Sequence, residues 1–376
     1  MMSRITLLFF FLPFVANAQT VATISPNSGV TDALIFDADG NLLGADYTGS
    51  AVFKILLPGG ESSVFSDGYN TPNGMALGSD GTLYLADNQG DKIYKIYPDS
   101  TREVFVEMDS PSGLIFELDS DTLIATSYAG DKLVKIAPDS SMTVWASGGH
   151  LGGGPVGLCY DSVGQLYVGN FDDRKIIKMS PDGSQELLVQ GPTSGWLGFI
   201  AYAKGFIYGT LYSTHKIFRT DLQGNATVIL GTTIGSVDGG PGVAKFSAPN
   251  GIVASPTGDT LYVSDYNTSN IRMITNLDGQ PSAGREVGPA KGFNVSPNPF
   301  YGKTLLSFDL GRQANISLDI RDTEGRLVRQ VLSNETLAAG THQFEIGDPG
   351  LSSGIYFASL WADGEQVLTK RILRLD

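Results

Sequence analysis

Residues 72–106 read PNGMALGSDGTLYLADNQGDKIYKIYPDSTREVFV, and this stretch decides the fold. Pro72, Asn73 and Gly74 open a short apolar run, and Ser79, Asp80 and Gly81 form a tight-turn signal leading into Leu83, Tyr84 and Leu85. The polar loop Asp87 to Asp91 precedes an alternating run, Lys92 to Ile96. A second turn, Pro98 to Ser100, then leads to an outer run, Glu103 to Val106. These are four short strands. One such sheet leaves apolar faces uncovered, so it requires neighbours of the same kind.

Working outward, the second-strand signature recurs as LLGAD ending at Asp46, LYLAD at Asp87, LIATS at Ser127, LYVGN at Asn170, FIYGT at Thr210 and LYVSD at Asp265. The third-strand pattern keeps step, from Val52 to Ile55 through Asn270 to Ile274. Six units of about 40 residues with four strands each predict an all-β fold, a six-bladed β-propeller with sheets packed around a central channel. The sixth unit lacks an outer strand after Asn276 to Gly279, and an unclaimed strand, Thr20 to Ile24, stands ahead of the first. An N-terminal strand closing the last blade fastens the ring and removes two open edges.

The flanks divide the chain further. Arg4, the apolar run Ile5 to Val15 and the site Ala16, Asn17, Ala18 form an export signal over residues 1–18. The propeller is expected over 19–279, a Gly- and Pro-rich linker over 280–292, and a second domain over 293–376. No apolar run reaches the length of about 20 residues that spans a bilayer, so no transmembrane segment is expected. Net charge is −14, which argues against nucleic acid as a partner. The acidity sits in the repeats. Cys159 is the single cysteine and lies in an apolar run, so it reads as a small buried hydrophobe rather than half of a disulfide.

Two resemblances can now be stated. Pro249 to Ile274, with P-x-G-I, G-x-LYV-x-D and an I-R-x-I strand, resembles NHL repeats and the regucalcin and gluconolactonase propellers, and Asp238 to Ile252 is similar to their inter-blade connection. The segment from Phe293 onward shows short alternating strands at intervals of about 10 residues, which read as a small Ig-like β-sandwich of roughly seven strands with hairpin turns at Asp322 to Gly325 and Ala362 to Gly364. Within it, Pro297 to Phe300, Gly354 to Phe357 and Thr369 to Leu375 are similar to the C-terminal sorting domain of type IX secretion. That resemblance implies the secretion machinery as a partner, a secreted or outer-surface location, and attachment to surface lipopolysaccharide or release after processing. The other reading is an ordinary accessory sandwich that stays on the chain.

Candidate site residues follow from the strand order, which gathers the starts of all first strands and the loops after all second strands on one face. The repeated polar residue closing strand two (Asp46, Asp87, Asn170, Asp265) offers possible ligand contacts, although a residue recurring in sheet after sheet also suits loop fixing. The position after the first-strand proline varies instead: Asp32, Asn73, Ser112, Val156, Leu197 and Asn250. One side of the channel mouth is therefore polar and the other apolar. The gluconolactonase resemblance implies a divalent cation, calcium or another, held by Asp32, Asn73 and Asn250, with Ser112 nearby. The bland alternative is that Asn in a P-N-G turn merely tolerates the local backbone. His150 and His215 fall in loops of the same face and are the candidate general bases of a lactonase-type reaction. Phe171, Tyr212 and Tyr266, which follow the strand-two signature, are candidates to line a ligand cleft. Two functions stand: a propeller that binds a small ligand or partner, and a metal-dependent lactonase or esterase.

Overall fold

The computed structural model describes residues 19–118, 120–277, 290–298, 300–322, 326–347, 351–363 and 365–374. The export signal of residues 1–18 and most of the expected linker lie outside these residues, as do parts of both hairpin turns of the second domain. The chain divides into two compact units, residues 1–281 and 282–376.

The first unit is built from six four-stranded antiparallel sheets. The second sheet shows the pattern: Pro72–Leu77, Leu83–Asp87, Lys92–Ile96 and Arg102–Glu107, paired in sequence order. Among the described residues, helix is confined to two three-residue 3-10 turns, Gly149–Leu151 and Tyr212–Thr214. The sixth sheet contains Pro249–Ala254, Leu261–Asp265 and Asn270–Thr275, and its outer strand is Thr20–Ser25, which pairs antiparallel with Asn270–Thr275. The first strand of each sheet touches those of the sheets before and after it, and the sixth touches the first.

Burial explains the order of the strands. The second strands are enclosed on both faces, as in Leu123–Ser127, all of whose residues are buried. The outer strands are largely exposed, as in Met142–Ser147. Every outer strand carries a register shift, for example opposite Ile93 and Tyr94 and opposite Leu133 and Val134, and such a bulge twists an edge away from edge-to-edge pairing. The Pro-Asp turns are fixed locally. The carboxylates of Asp99, Asp139 and Asp182 each accept a hydroxyl and a backbone N–H two residues on, and these bonds hold the three acids below their usual range.

A loop clasps the N-terminal strand. Gly239 exchanges two backbone hydrogen bonds with Val21, at 2.9 and 3.0 Å, and Asp238 accepts from the Thr23 N–H and hydroxyl. The fully buried Arg272 bridges Asp238 and Asp265, both at 2.8 Å, and donates to the Lys245 and Val237 carbonyls. This charge is paired in several directions, which is what burial of a guanidinium requires.

Register corrects the reading of the fifth unit. Its second strand runs to Leu211, one residue beyond Thr210, and Leu197 pairs with Leu211 as Pro72 pairs with Asp87. Leu197 therefore takes the place of the proline, and Gly198 occupies the position held by Asn73 in the second sheet. Trp145, in the outer strand Met142–Ser147, lies under the Lys135 ammonium and donates to the Pro181 carbonyl.

Among the described residues, the second unit holds seven strands in two sheets. One contains Ala290–Ser296, Lys303–Leu310 and Gly340–Gly347, the other Leu327–Leu337, Ala314–Arg321, Gly354–Ala362 and Glu365–Arg374. Lys303–Leu310 buries alternate residues, Thr304, Leu306, Phe308 and Leu310, as one buried sheet face requires. Both sheets contribute to a single core that includes Phe308, Ile346, Ile316, Leu360 and Ile372.

Candidate functional site

The first strands hold their polar residues out of the ladder. A register shift falls between Pro72 and Met75, Pro111 and Leu114, and Pro249 and Ile252, so Asn73, Ser112 and Asn250 each sit in a bulge. The glycine that follows is needed for close approach. A Cβ on Gly74 would lie 2.1 Å from the Ser112 carbonyl oxygen, one on Gly113 1.8 Å from that of Val156, and one on Gly251 2.1 Å from that of Asp32. Each bulge is thus pressed against the next sheet.

This packing brings two of the predicted residues into direct contact. Asn250 Nδ2 donates to Asp32 Oδ1 at 2.8 Å, and Ser264 Oγ donates to the Asp32 carbonyl at 2.7 Å. Asp32 is 1% exposed, and burial pushes its carboxyl well above the usual carboxylate range against the opposing bond from the Ala33 backbone, with Asp46 adding a smaller push the same way. Asn73 and Ser112 are also buried, and Asn73 Oδ1 has no hydrogen-bond partner among the described residues. The floor of this face is polar, enclosed and incompletely satisfied.

The strand-two residues serve their loops. Asp87 accepts the N–H groups of Asn70 and Thr71 at 2.9 and 2.7 Å, and Asp46 accepts from Thr31, from the Thr48 hydroxyl and from the Thr48 N–H. Asn170 donates to the His150 carbonyl at 2.7 Å, and Asp265 accepts from the Ser247 N–H and from Arg272. In each case the side chain ties down a neighbouring loop or connection.

Neither histidine hydrogen-bonds to the Asp32 and Asn250 pair. His150 lies in the 3-10 turn Gly149–Leu151 between the third and fourth sheets. His215 adopts a left-handed conformation at φ 61°, and its Nδ1 accepts the Ala248 N–H at 3.0 Å. That bond fixes the ring, and burial holds its pKa below the ordinary histidine value.

Around the polar floor stands a feature that sequence reading found only in part. In the second to sixth sheets the residue after the second strand is Asn88, Tyr128, Phe171, Tyr212 and Tyr266; in the first, where that strand ends at Ala45, Tyr47 follows Asp46, so five of the six are aromatic. The N–H groups of Asn88, Tyr128, Phe171, Tyr212 and Tyr266 each donate to the residue preceding the first strand of their own sheet, which sets all five backbones alike. Ring centroids lie 6.2 Å apart for Tyr128 and Phe171, 6.1 Å for Phe171 and Tyr212, and 5.3 Å for Tyr212 and Tyr266. Trp196 stacks on Phe171 at 5.6 Å and 18°. Burial, then the Asp32 charge, raises the Tyr47 and Tyr266 phenols. The Tyr212 phenol is pushed up to about 12 by burial first and then by Tyr266 and Asp32. Three phenols therefore stand within electrostatic reach of the buried acid. Tyr47 escaped the sequence reading because its place in the collar depends on register.

The implied divalent cation is a poor match for this donor set. Calcium takes six to eight oxygens, and a floor of one carboxylate and two carboxamides supplies few, with the Asn250 amide already turned to Asp32. Among the described residues, no three His, Cys, Asp or Glu side chains gather where they could hold a metal ion.

Residues 294–374 match the family model described as the secretion system C-terminal sorting domain. Comparison with curated proteins finds no match. Among solved structures, the chain is similar to an auxiliary nutrient binding protein from Bacteroides thetaiotaomicron, at 14% identity and TM-score 0.60, covering 68% of this chain and 76% of that one. It is also similar to a gluconolactonase from Xanthomonas campestris, at 14% identity and TM-score 0.56, covering 68% and 89%. A virginiamycin B lyase from Staphylococcus aureus follows, at 18% identity and TM-score 0.50, covering 65% and 80%. At these identities the likeness is one of fold, that of a β-propeller. No helix among the described residues is long and apolar enough to cross a membrane. The chain is therefore a β-propeller protein with a type IX secretion sorting domain at its C-terminal end, exported to the cell surface or the medium.

Proposed function

We propose that this is a non-catalytic extracellular binding protein: a six-bladed propeller over residues 19–279, closed by Thr20–Ser25, that takes a small ligand on its channel-mouth face. A short linker over 280–292 joins it to a sandwich, 293–376, which engages the secretion machinery and leads to release or to attachment at surface lipopolysaccharide. The closed six-bladed reading is supported by six four-stranded sheets, by the cyclic contacts of their first strands and by the pairing of Thr20–Ser25 in the sixth.

The observation that carries the functional reading is the meeting of Asp32 and Asn250, with the unpartnered Asn73 oxygen, inside a collar of aromatic rings on one face. Buried polar groups left incompletely paired cost stability, and a binding site is where such a cost is kept. The lactonase reading draws on fold likeness, and its needs are a metal shell and a positioned base. The donor set at Asp32, Asn73 and Asn250 is too small for the first, the His215 ring is held by the Ala248 N–H, and neither histidine hydrogen-bonds to the Asp32 and Asn250 pair. The test is a melting-temperature screen of the exported chain against small polar and aromatic-binding compounds, repeated with Asn250→Ala and with calcium or chelator. A shift produced by one ligand class and lost in the variant supports the reading. Calcium-dependent turnover of lactones would replace it with the hydrolase.

A further inference from the structure

The collar has a composition more specific than a general binding face. Six rings, Tyr47, Tyr128, Phe171, Trp196, Tyr212 and Tyr266, contribute to it; the first two and last two carry hydroxyls, and Trp196 is 47% exposed. The contacts from Tyr128 through Phe171 and Tyr212 to Tyr266 form one continuous aromatic surface. After burial and one another, the charges that act on the four phenols are all acidic: Asp32, Asp46, Asp131 and Asp172. Asp172 reaches the rim itself, with both carboxylate oxygens 3.2 to 3.3 Å from the Tyr128 hydroxyl. The Arg174 guanidinium is turned to the Gly195 carbonyl at 2.6 Å, and Lys132 and Lys216 stand opposite Ser127 and Leu211, the residues before Tyr128 and Tyr212.

Ring faces carry the negative end of the aromatic quadrupole, and here they stand in a field of carboxylates. An anion is disfavoured on both counts. A neutral sugar gains the stacking but nothing from the charge. A cation of low hydration gains both, since it gives up little solvation on entering the collar and meets several ring faces. We infer that the collar binds a small organic cation of the quaternary ammonium class, with the rings forming the cage and the Asp172 carboxylate at the rim supplying the counter-charge. This rests on the reading of the channel-mouth face as the ligand site, and it names the ligand chemistry.

The experiment uses the exported full-length chain, with choline as probe and 3,3-dimethylbutan-1-ol, its neutral carbon isostere, as control, both titrated by calorimetry. Choline is expected to bind at least about tenfold more tightly than the isostere, a difference of about 1.4 kcal/mol. Phe171→Leu and the half-exposed Trp196→Leu are each expected to weaken it several-fold, the second without risk to folding. Equal binding of the isostere, or choline binding untouched by Trp196→Leu, overturns the proposal. If choline fails while glucose binds and Trp196→Leu removes that binding, the cation class falls and the ligand face stands. If every compound that binds is indifferent to Trp196→Leu and Asn250→Ala, both readings fall.

Discussion

Asp32 shows what a single buried acid costs. Its carboxyl is held well above the ordinary value near 3.8 by burial, so the folded chain keeps a proton that the unfolded chain has released. More protons bound in the folded state means that stability falls as pH rises through that window, by about 1.4 kcal/mol per pH unit for one fully shifted group. Asp32→Asn keeps the oxygen that accepts from Asn250 and removes the titration. It is expected to melt like wild type near pH 4 and at a higher temperature at pH 7, as calorimetry at the two pH values will show. Asp265, raised to about 6 mainly by burial and with Arg272 opposing, adds a slope of the same sign between about pH 4 and 6. Glycine matters as sharply. Gly251→Ala drives a Cβ to 2.1 Å from the Asp32 carbonyl oxygen, which cannot swing away as a side-chain tip can. A loss of about 1–3 kcal/mol in chemical denaturation is expected, by the overpacking mechanism. At this scale Asp32, Asn73 and Asn250 were legible in the sequence, because they break a repeat. The contact between Asp32 and Asn250, 218 residues apart, was not, since it exists only where the first and last sheets meet.

At the scale of elements, the N-terminal strand and the Asp238 loop form one fastening. Thr20–Ser25 pairs with Asn270–Thr275, Asp238 holds Thr23, and Arg272 sits beneath both with no exposed surface. Arg272→Met leaves Asp265 buried without its partner, and breaking a buried pair in this way costs about 3–5 kcal/mol. The expected outcome is a large fall in melting temperature together with early proteolytic cleavage near residue 25. Asp238→Ala, whose partner Thr23 is partly solvated, is expected to cost less. The strands themselves were readable from alternation and turn residues in all six units. The fifth was read one residue short because it lacks the proline that marks the second, third, fourth and sixth units and offers Leu197 in its place. That slip concealed Gly198 at the inner position, and register alone placed Tyr212 beside Tyr266 in the collar.

For the whole molecule, the two units divide the work. Residues 294–374 match the sorting domain and have their own core, in which Phe308, Ile316, Ile346 and Ile372 are fully or almost fully buried. Deleting 293–376 is expected to abolish appearance of the chain at the surface and in the medium, measured by immunoblotting of cell fractions. Unchanged export of the truncated chain would show that the domain has another role. The sequence by itself determined the strand pattern, the repeat, the acidic balance and the sorting segment, because each depends on local periodicity, composition or contiguous motif. Tertiary structure alone decided which side chains meet. Six sheets brought side by side turn one position per repeat into an aromatic collar and another into a buried floor, and the distances between residues hundreds of positions apart are set by packing that no local stretch encodes.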